Sequence, residues 1–512
     1  ALMAGNAVIL KPSRETVLTA WMLARQLWQA GVPRDVLQFL PTADRRAGQR
    51  LVEDSRTAAV ILTGSYDTAR TFQTARPDLP LFAETSGKNA MIITVNADWD
   101  LAIKDLVRGA FGHSGQKCSA TSLALIEAPV YDSEKFRQQL KDAAESLIVG
   151  GSWNPMAIAT PVIREPDDVL RRGLTTLDPG ESWLLEPKMV DGNPCLWSPG
   201  IKLGVQPGSW YHRHECFGPV LGLIRAESLR QAIDIQNSSH LGLTGGLHSL
   251  DPEEIRLWRD QVEVGNAYIN RGTTGAIVQR QPFGGWKDSC VGPGAKAGGP
   301  NYVACFSHWH TESLPQCRQP LPTEIADLVA RLSIFVGRQR ELLTAAAESC
   351  WYWWERYFSK EHDPSQLHGE TNHFRYRPRP WHVLRVVDPR EEMAPLAISV
   401  TTAACRIAGV PLTISVPHSV DWLTQLTSTS GGQLLLESRS QFVQSMNARR
   451  HGSLRWVNAA DESTREAFPG AVEIGNTPVY TEWPWLNGRL ELLTYLREQS
   501  VSQTVHRYGN LI

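Results

Sequence analysis

The chain lacks an excess of charge of either sign. Its 51 Lys and Arg stand against 53 Asp and Glu, a net charge of −2 with a pI near 6.8. That excludes the basic footprint of a nucleic-acid or membrane-surface binder. It lacks a Cys-x-x-Cys pair or any dense cysteine framework. The eight Cys are scattered, which fits a reducing, cytoplasmic compartment. No Cys/His spacing of the metal-site kind occurs: His212 and His214 are neighbours without a second cluster. There is no Gly-x-Gly-x-x-Gly loop, no short-period repeat, no low-complexity segment and no secretory-leader pattern. No apolar run reads as a membrane span. The longest, 394–416, contains Arg406, Gly409 and two prolines, and its Thr, Val and Ile content reads as strand–helix–strand of a buried sheet.

What is present is alternation. Strands are expected at 7–11, 36–40 and 59–62, with helices at 15–30 (closed by Gly31), 43–54 and 66–75. Strand–helix repetition of this kind argues for an α/β chain with a parallel, doubly wound sheet. The pattern continues from 88 to 286, broken by loops at 166–193. A Gly/Pro-rich, non-periodic run follows at 291–301, then a flap strand or linker at 303–322. A helical pair is expected at 323–337 and 339–357, its stripe of Trp351, Trp353, Trp354 and Tyr357 being core packing. The basic run 369–379 reads as a solvated or salt-bridged face. From 381 to 474 a second, smaller α/β layer has strands at 383–387, 397–400, 412–416 and 433–436. The stretch 489–499 is amphipathic, with Leu490, Leu492, Leu493 and Leu496.

Chemistry concentrates in Phe111-Gly-His-Ser-Gly-Gln-Lys-Cys118-Ser-Ala120. Small residues around Cys118 allow a substrate close to the sulfur, and the Lys117 charge favours thiolate. A small buried side chain is the other reading of such a cysteine. Thirty-four residues upstream is Glu84-Thr-Ser-Gly-Lys88, a carboxylate ending an apolar strand; alone it also fits a surface carboxylate or a turn former. Ninety-seven residues downstream is Glu215-Cys-Phe-Gly-Pro219, and beyond it Gln281-Pro-Phe-Gly-Gly-Trp-Lys287.

In this order and spacing the four motifs resemble the aldehyde dehydrogenase superfamily, from the first residue to about Tyr302. The segments 270–278, 487–499 and His506-Arg-Tyr-Gly-Asn510 narrow the resemblance to the C-terminal half of bifunctional proline utilisation A, a glutamate γ-semialdehyde (1-pyrroline-5-carboxylate) dehydrogenase. The resemblance implies an aldehyde dehydrogenase fold with an added C-terminal layer. Its expected parts are a partial NAD-binding domain at 1–87, a catalytic domain at 88–286, a linker or oligomerisation flap at 287–322, an aldehyde-dehydrogenase-like α/β domain at 323–475 that binds no nucleotide, and a tail motif at 476–512.

It also implies roles. Cys118 is the nucleophile and Glu84 the general base. Lys11, Ser13, Gly64, Ser65, Glu215 and Phe217 hold NAD. Ser119, Gly275 and Ala276 anchor the substrate carboxylate, and Phe283 walls the pocket. Without the family, Gly64-Ser65 is an ordinary helix cap and 272–276 a turn. Arg14 follows Lys-Pro-Ser where the family often has Glu, so weakened discrimination against NADP is expected. The expected reaction is oxidation of the semialdehyde to glutamate. The alternatives are another acidic semialdehyde, such as succinic, or an inactive scaffold. The expected partners are the small-molecule substrate, copies of the chain in a homo-oligomer, and an upstream proline dehydrogenase domain, which alone would carry FAD. The tail is expected to dock on the assembly over the passage between active sites, or on its own domain. Because the sequence opens inside a helix-to-strand unit, the chain is expected to be a fragment. It would then lack the family's upstream oxyanion-binding Asn and be poorly active alone.

Overall fold

The computed structural model describes residues 1–457 and 477–506. The segment 458–476, shared by the expected C-terminal layer and tail, lies outside the described residues, as does most of the His506–Asn510 motif.

The centre is a nine-stranded sheet in the order Glu370–Pro378, Leu496–Thr504, Asn266–Ile269, Thr244–His248, Asn89–Ile93, Thr121–Glu127, Val220–Ala226, Gly200–Leu203, Ser182–Leu185. Its inner pairs are parallel and both outermost pairs antiparallel. The two-residue pleat divides the central strands between two cores. Ala90 and Ile92 pack with Leu123, Leu125 and Ile224 on one face, while Met91 and Ile93 pack with Ala124, Ile126 and the helix Trp99–Phe111 on the other. Strands buried on both faces read as unbroken apolar runs, which is how they look in the sequence.

Residues 1–87 form smaller units: the parallel pair Val8–Leu10 with Leu37–Phe39, and a three-stranded sheet of Val60–Thr63, Leu81–Glu84 and Cys290–Val291. The helices Val17–Gln29, Arg45–Glu53 and Tyr66–Ala75 agree with the expected spans. A five-stranded parallel sheet (Gln433–Leu436, Leu412–Val416, His382–Val386, Ser453–Val457, Val479–Tyr480) forms the C-terminal layer. It shares a core with the helices Thr323–Val336 and Arg340–Trp353. The aromatic stripe Trp351, Trp353, Trp354 and Tyr357 packs against that core. Among the described residues no helix is long and apolar enough to cross a membrane.

Several expectations are corrected. The run 394–416 is a helix, Ala394–Ala408, then the strand Leu412–Val416; no strand occupies 397–400. Nearly all of that helix is buried, so it carries no polar stripe, and Val, Ile and Thr are tolerated because packing outweighs propensity. Gly409 closes it in the left-handed conformation. The amphipathic stretch 489–499 is a short helix, Gly488–Glu491, a 3-10 turn and the start of the strand Leu496–Thr504. The basic run is the strand Glu370–Pro378, and of its two expected states the salt-bridged one holds: Arg375 is buried against Gln499 and pairs with Glu361 at 3.1 Å. Residues 303–322 hold a 3-10 turn, Val303–Phe306, and no strand, so of the two expected alternatives the linker stands. The strands that extend the central sheet come from 370–378 and 496–504 instead.

Candidate active site

The cysteine loop is shaped by its backbone. After the helix Trp99–Phe111 the chain takes positive φ at His113, Ser114 and Gly115 (53°, 52° and 68°), reversing toward the sheet. Gly115 lies against the Glu215–Pro219 motif so closely that a Cβ there would stand 2.1 Å from the Gly218 carbonyl oxygen. Cys118 follows, half-buried, at the entry to the strand Thr121–Glu127. Asn89, at the head of the adjacent strand, donates from Nδ2 to the carbonyl oxygens of Cys118 (2.8 Å) and Ala120 (2.9 Å). Gly87 closes the other side: a Cβ there would lie 2.5 Å from the Cys118 carbonyl oxygen.

Two carboxylates flank this loop. Glu84 ends the strand Leu81–Glu84, where the chain leaves the small sheet for the central one, and its Oε2 accepts the Gly285 N–H at 2.8 Å. Burial pushes its carboxyl above the ordinary range, against the pull of the Lys296 ammonium and the Gly285 amide. Glu215 accepts the Gly87 N–H at 2.9 Å and a Ser86 side-chain bond; burial raises its carboxyl as well. The Cys118 thiol is held up by burial first and then by Glu215, with Glu84 adding to it and backbone N–H groups opposing. This corrects the expectation for Lys117: the charges that act on the sulfur are acidic.

The substrate loop is tied to the cysteine by a residue that sequence reasoning missed. Thr273 Oγ1 donates to the Ser119 carbonyl oxygen at 2.9 Å and lies 2.8 Å from Thr121 Oγ1. Ser119 is buried, whereas Gly275 (φ 89°) and Ala276 are exposed on the same loop. Pro282 returns the loop to the sheet, its carbonyl accepting Asn266 Nδ2 at 3.0 Å. Phe283, half-buried, follows and bridges to Ala297. Glu370, from the C-terminal edge strand, grips the loop's Arg271 at 3.1 Å and Arg280 at 3.7 Å.

The expected cofactor residues are more dispersed. Lys11 and Ser13 follow the small strand Val8–Leu10; both are exposed, and the Lys11 amine reaches only the Pro12 carbonyl in its own turn. Ser65 caps the helix Tyr66–Ala75 by accepting the Thr68 N–H at 3.2 Å, with Gly64 before it. Phe217 is exposed with φ 53°, just beyond Glu215. The structure therefore brings Cys118, Ser119, Glu84 and Glu215 together, joins the 272–276 loop to them through Thr273, sets the Gly64-Ser65 turn beside Glu84 (the Gly64 N–H donates to the Glu84 carbonyl at 3.1 Å), and leaves Lys11 and Ser13 on the small strand pair. Asn89 and Lys296 also escaped the sequence reading. Asn89 directly follows the Glu84–Lys88 motif, and its place before an apolar strand was the available signal.

A thiol between two half-buried carboxylates, at the seam of two α/β units, is the candidate active site of a doubly wound scaffold. The chain belongs to the aldehyde dehydrogenase family, whose model matches residues 1–311. It is 35% identical over 314 residues to the 1-pyrroline-5-carboxylate dehydrogenase of Oceanobacillus iheyensis, covering 60% of each chain. Its fold is similar to that of proline utilization A from Corynebacterium freiburgense, with a TM-score of 0.83 and 40% identity. That match covers 99% of this chain and 48% of that one. A Thermus 1-pyrroline-5-carboxylate dehydrogenase with bound NAD matches with a TM-score of 0.55 and 32% identity, over 59% of each chain. The chain thus spans about half the length of the Corynebacterium protein and three-fifths of the Oceanobacillus enzyme.

Proposed function

We propose that this chain carries out NAD-dependent oxidation of L-glutamate γ-semialdehyde to L-glutamate, the second step of proline catabolism. The observation that carries the reading is the tie between Thr273 and Ser119, which fixes the substrate loop against the loop of Cys118. The Cys118 thiol gives its proton to solvent water as its sulfur adds to the aldehyde carbon, and the resulting oxyanion takes the Cys118 backbone N–H. After loss of hydride the product is a thioester on Cys118. Glu84 takes a proton from the water that attacks it, and the acid leaves as the thiolate re-forms.

The residues present fit a dinucleotide. A carboxylate beside a thiol disfavours the thiolate, so Glu215 needs another task, and acceptance of two ribose hydroxyls is one. The exposed Lys11 amine and the capped helix start at Ser65 offer donors for ribose and phosphate. Phe217 would pack beside the nicotinamide ribose that Glu215 holds. NAD bound there would accept the hydride. Gly275, at positive φ with open space about it, and Ala276 present backbone N–H groups for the substrate carboxylate.

The eight cysteines, scattered without a Cys-x-x-Cys pair, support a reducing, cytoplasmic setting. Relation to proline utilization A supports a flavin-dependent proline dehydrogenase domain as partner in the same protein. The test is NADH formation from glutamate semialdehyde and, separately, from succinic semialdehyde, by the full-length protein and its Cys118→Ala variant. Activity on the first that vanishes with Cys118→Ala supports the reading. Preference for succinic semialdehyde would replace the substrate, and no activity with any aldehyde would favour the scaffold alternative.

A further inference from the structure

Lys296 lies in the Gly/Pro-rich run after the small-sheet strand Cys290–Val291, and its side chain is fully buried. Its amine donates to the Gly284 carbonyl and to Asn266 Oδ1 at 3.2 Å. The next amide along, Gly285 N–H, is the one that donates to Glu84. A Cβ on Gly284 would stand 2.9 Å from Glu84 Oε1 and 3.3 Å from Lys296 Cγ, so carboxylate and lysine stem flank one glycine. Behind Lys296 stands Glu498, on the strand Leu496–Thr504. Its Oε2 accepts the Lys296 N–H at 2.7 Å, its Oε1 accepts Asn301 Nδ2 at 2.6 Å, and its backbone carbonyl accepts Trp286 Nε1 at 2.7 Å. The C-terminal segment thus fixes the lysine from behind.

A buried ammonium is unfavourable unless it has charged or strongly polar partners; here the Gly284 carbonyl and Asn266 Oδ1 accept from it, and the charges of Glu84 and Glu498 act on it from nearby. The other titratable groups facing Glu84 are the Cys118 and Cys290 thiols and the Tyr302 phenol; Cys290 also faces Lys296. Burial raises both thiols and the phenol, so they stay protonated near neutrality, and the cation that acts on Glu84 is Lys296.

We propose that Lys296, braced by Glu498, is a positioning residue for the base: its ammonium keeps Glu84 ionised enough to take the proton from water during thioester hydrolysis. In that step the water oxygen bonds to the thioester carbon and its proton passes to Glu84. The carbon–sulfur bond then breaks, returning its electron pair to Cys118. The inference rests on the reading of Glu84 as that base.

The test is a pH titration of the Glu84 carboxyl by infrared difference spectroscopy, with the band identified by its absence in Glu84→Gln. It is run on Lys296→Gln, Lys296→Met and Lys296→Arg, beside the pH profile of Cys118 deacylation after a pulse of p-nitrophenyl acetate. In either neutral variant the midpoint should rise by about one pH unit or more, the scale of losing a neighbouring opposite charge. Deacylation at pH 7.5 should fall about tenfold in parallel, and Lys296→Arg should restore both. An unmoved midpoint in a folded neutral variant overturns the proposal. So does failure of both neutral variants to fold, which assigns the ammonium to the fold alone. The titration needs no turnover, so absence of semialdehyde oxidation in the unaltered protein would remove the substrate reading and leave this one to its own result.

Discussion

Asn89 Nδ2 donates to the carbonyl oxygen of Cys118 at 2.8 Å, and the same amide holds Ala120 and, through Oδ1, the Thr244 N–H at 3.0 Å. One buried side chain thus fixes the Cys118 backbone to two strands of the central sheet. Asn89→Ala leaves these groups without a partner, at a cost of about 1–3 kcal/mol for each that water cannot reach. The expected outcome is a lowered urea midpoint together with a fall of at least about tenfold in NADH formation, since a small misplacement of a nucleophile is costly. An unchanged rate in a destabilised protein would separate folding from positioning.

Glu84→Gln removes the proposed base and leaves the hydrogen-bond acceptor for Gly285. Thiol addition and hydride loss can still occur once, so a burst of NADH equal to the enzyme present is expected. Steady-state turnover should then be slower by about 10²–10⁴-fold. Acylated Cys118 should be visible by mass spectrometry during that lag. The ionised carboxylate is the working form and burial raises its titration, so hydrolysis in the unaltered protein should gain speed as pH rises beyond the ordinary carboxylate range.

Much of this site was legible because its reacting groups sit in contiguous motifs. Cys118, Glu84 and Glu215 each lie among small residues with local meaning, and Gly87, Gly115 and Gly218 prove to be where the three loops touch. The supporting residues were not legible in the same way. Thr273 is 154 positions from Ser119, and Lys296 is 202 positions from Glu498; such pairings are created by sheet order, which local pattern does not report. The fold shows the same division. Amphipathic helices such as Val17–Gln29 announce themselves by period, whereas Ala394–Ala408, buried all round, offers no period to distinguish it from strand. Leu496–Thr504 could not be told apart locally from the amphipathic stretch 489–499 that runs into it, and its pairing partner Asn266–Ile269 lies far back in the chain.

The C-terminal edge strand is held by charge, and that makes part of the fold acid-sensitive. Glu361 accepts from Arg259 and Arg375 and pairs with His373 at 3.0 Å, linking the helix Pro252–Gln261 to the strand Glu370–Pro378. The His373 bond first, and then Arg259 and Arg375, hold its carboxyl down to about 2. A depressed carboxyl contributes stability above its unfolded value and loses it as pH falls through the folded one. The protein should therefore lose stability between about pH 4.5 and 2. Glu361→Gln should flatten that portion of a denaturant-midpoint-against-pH curve; an identical slope in the variant would place the acid sensitivity elsewhere.

In the proposed reading, choice between NAD and NADP turns on the residues after Lys11-Pro-Ser13. Arg14 is exposed at the start of a 3-10 turn, Arg14–Thr16. The adjacent carboxylate, which would repel a ribose 2′-phosphate, is already engaged: Glu15 accepts from Ser13 Oγ and pairs with Arg164 at 3.0 Å. Repulsion of the extra phosphate is therefore weakened, and the Arg14 guanidinium offers it a partner. NAD is expected to remain the better substrate, with a kcat/KM ratio over NADP below about a thousandfold, roughly 4 kcal/mol. Arg14→Glu should widen that ratio by about tenfold or more by restoring a like charge, mostly through a higher KM for NADP. Arg164→Ala frees Glu15 and should widen it in the same direction by less. A ratio already above a thousandfold in the unaltered protein, or one that Arg14→Glu leaves unmoved, would place the discrimination outside this turn.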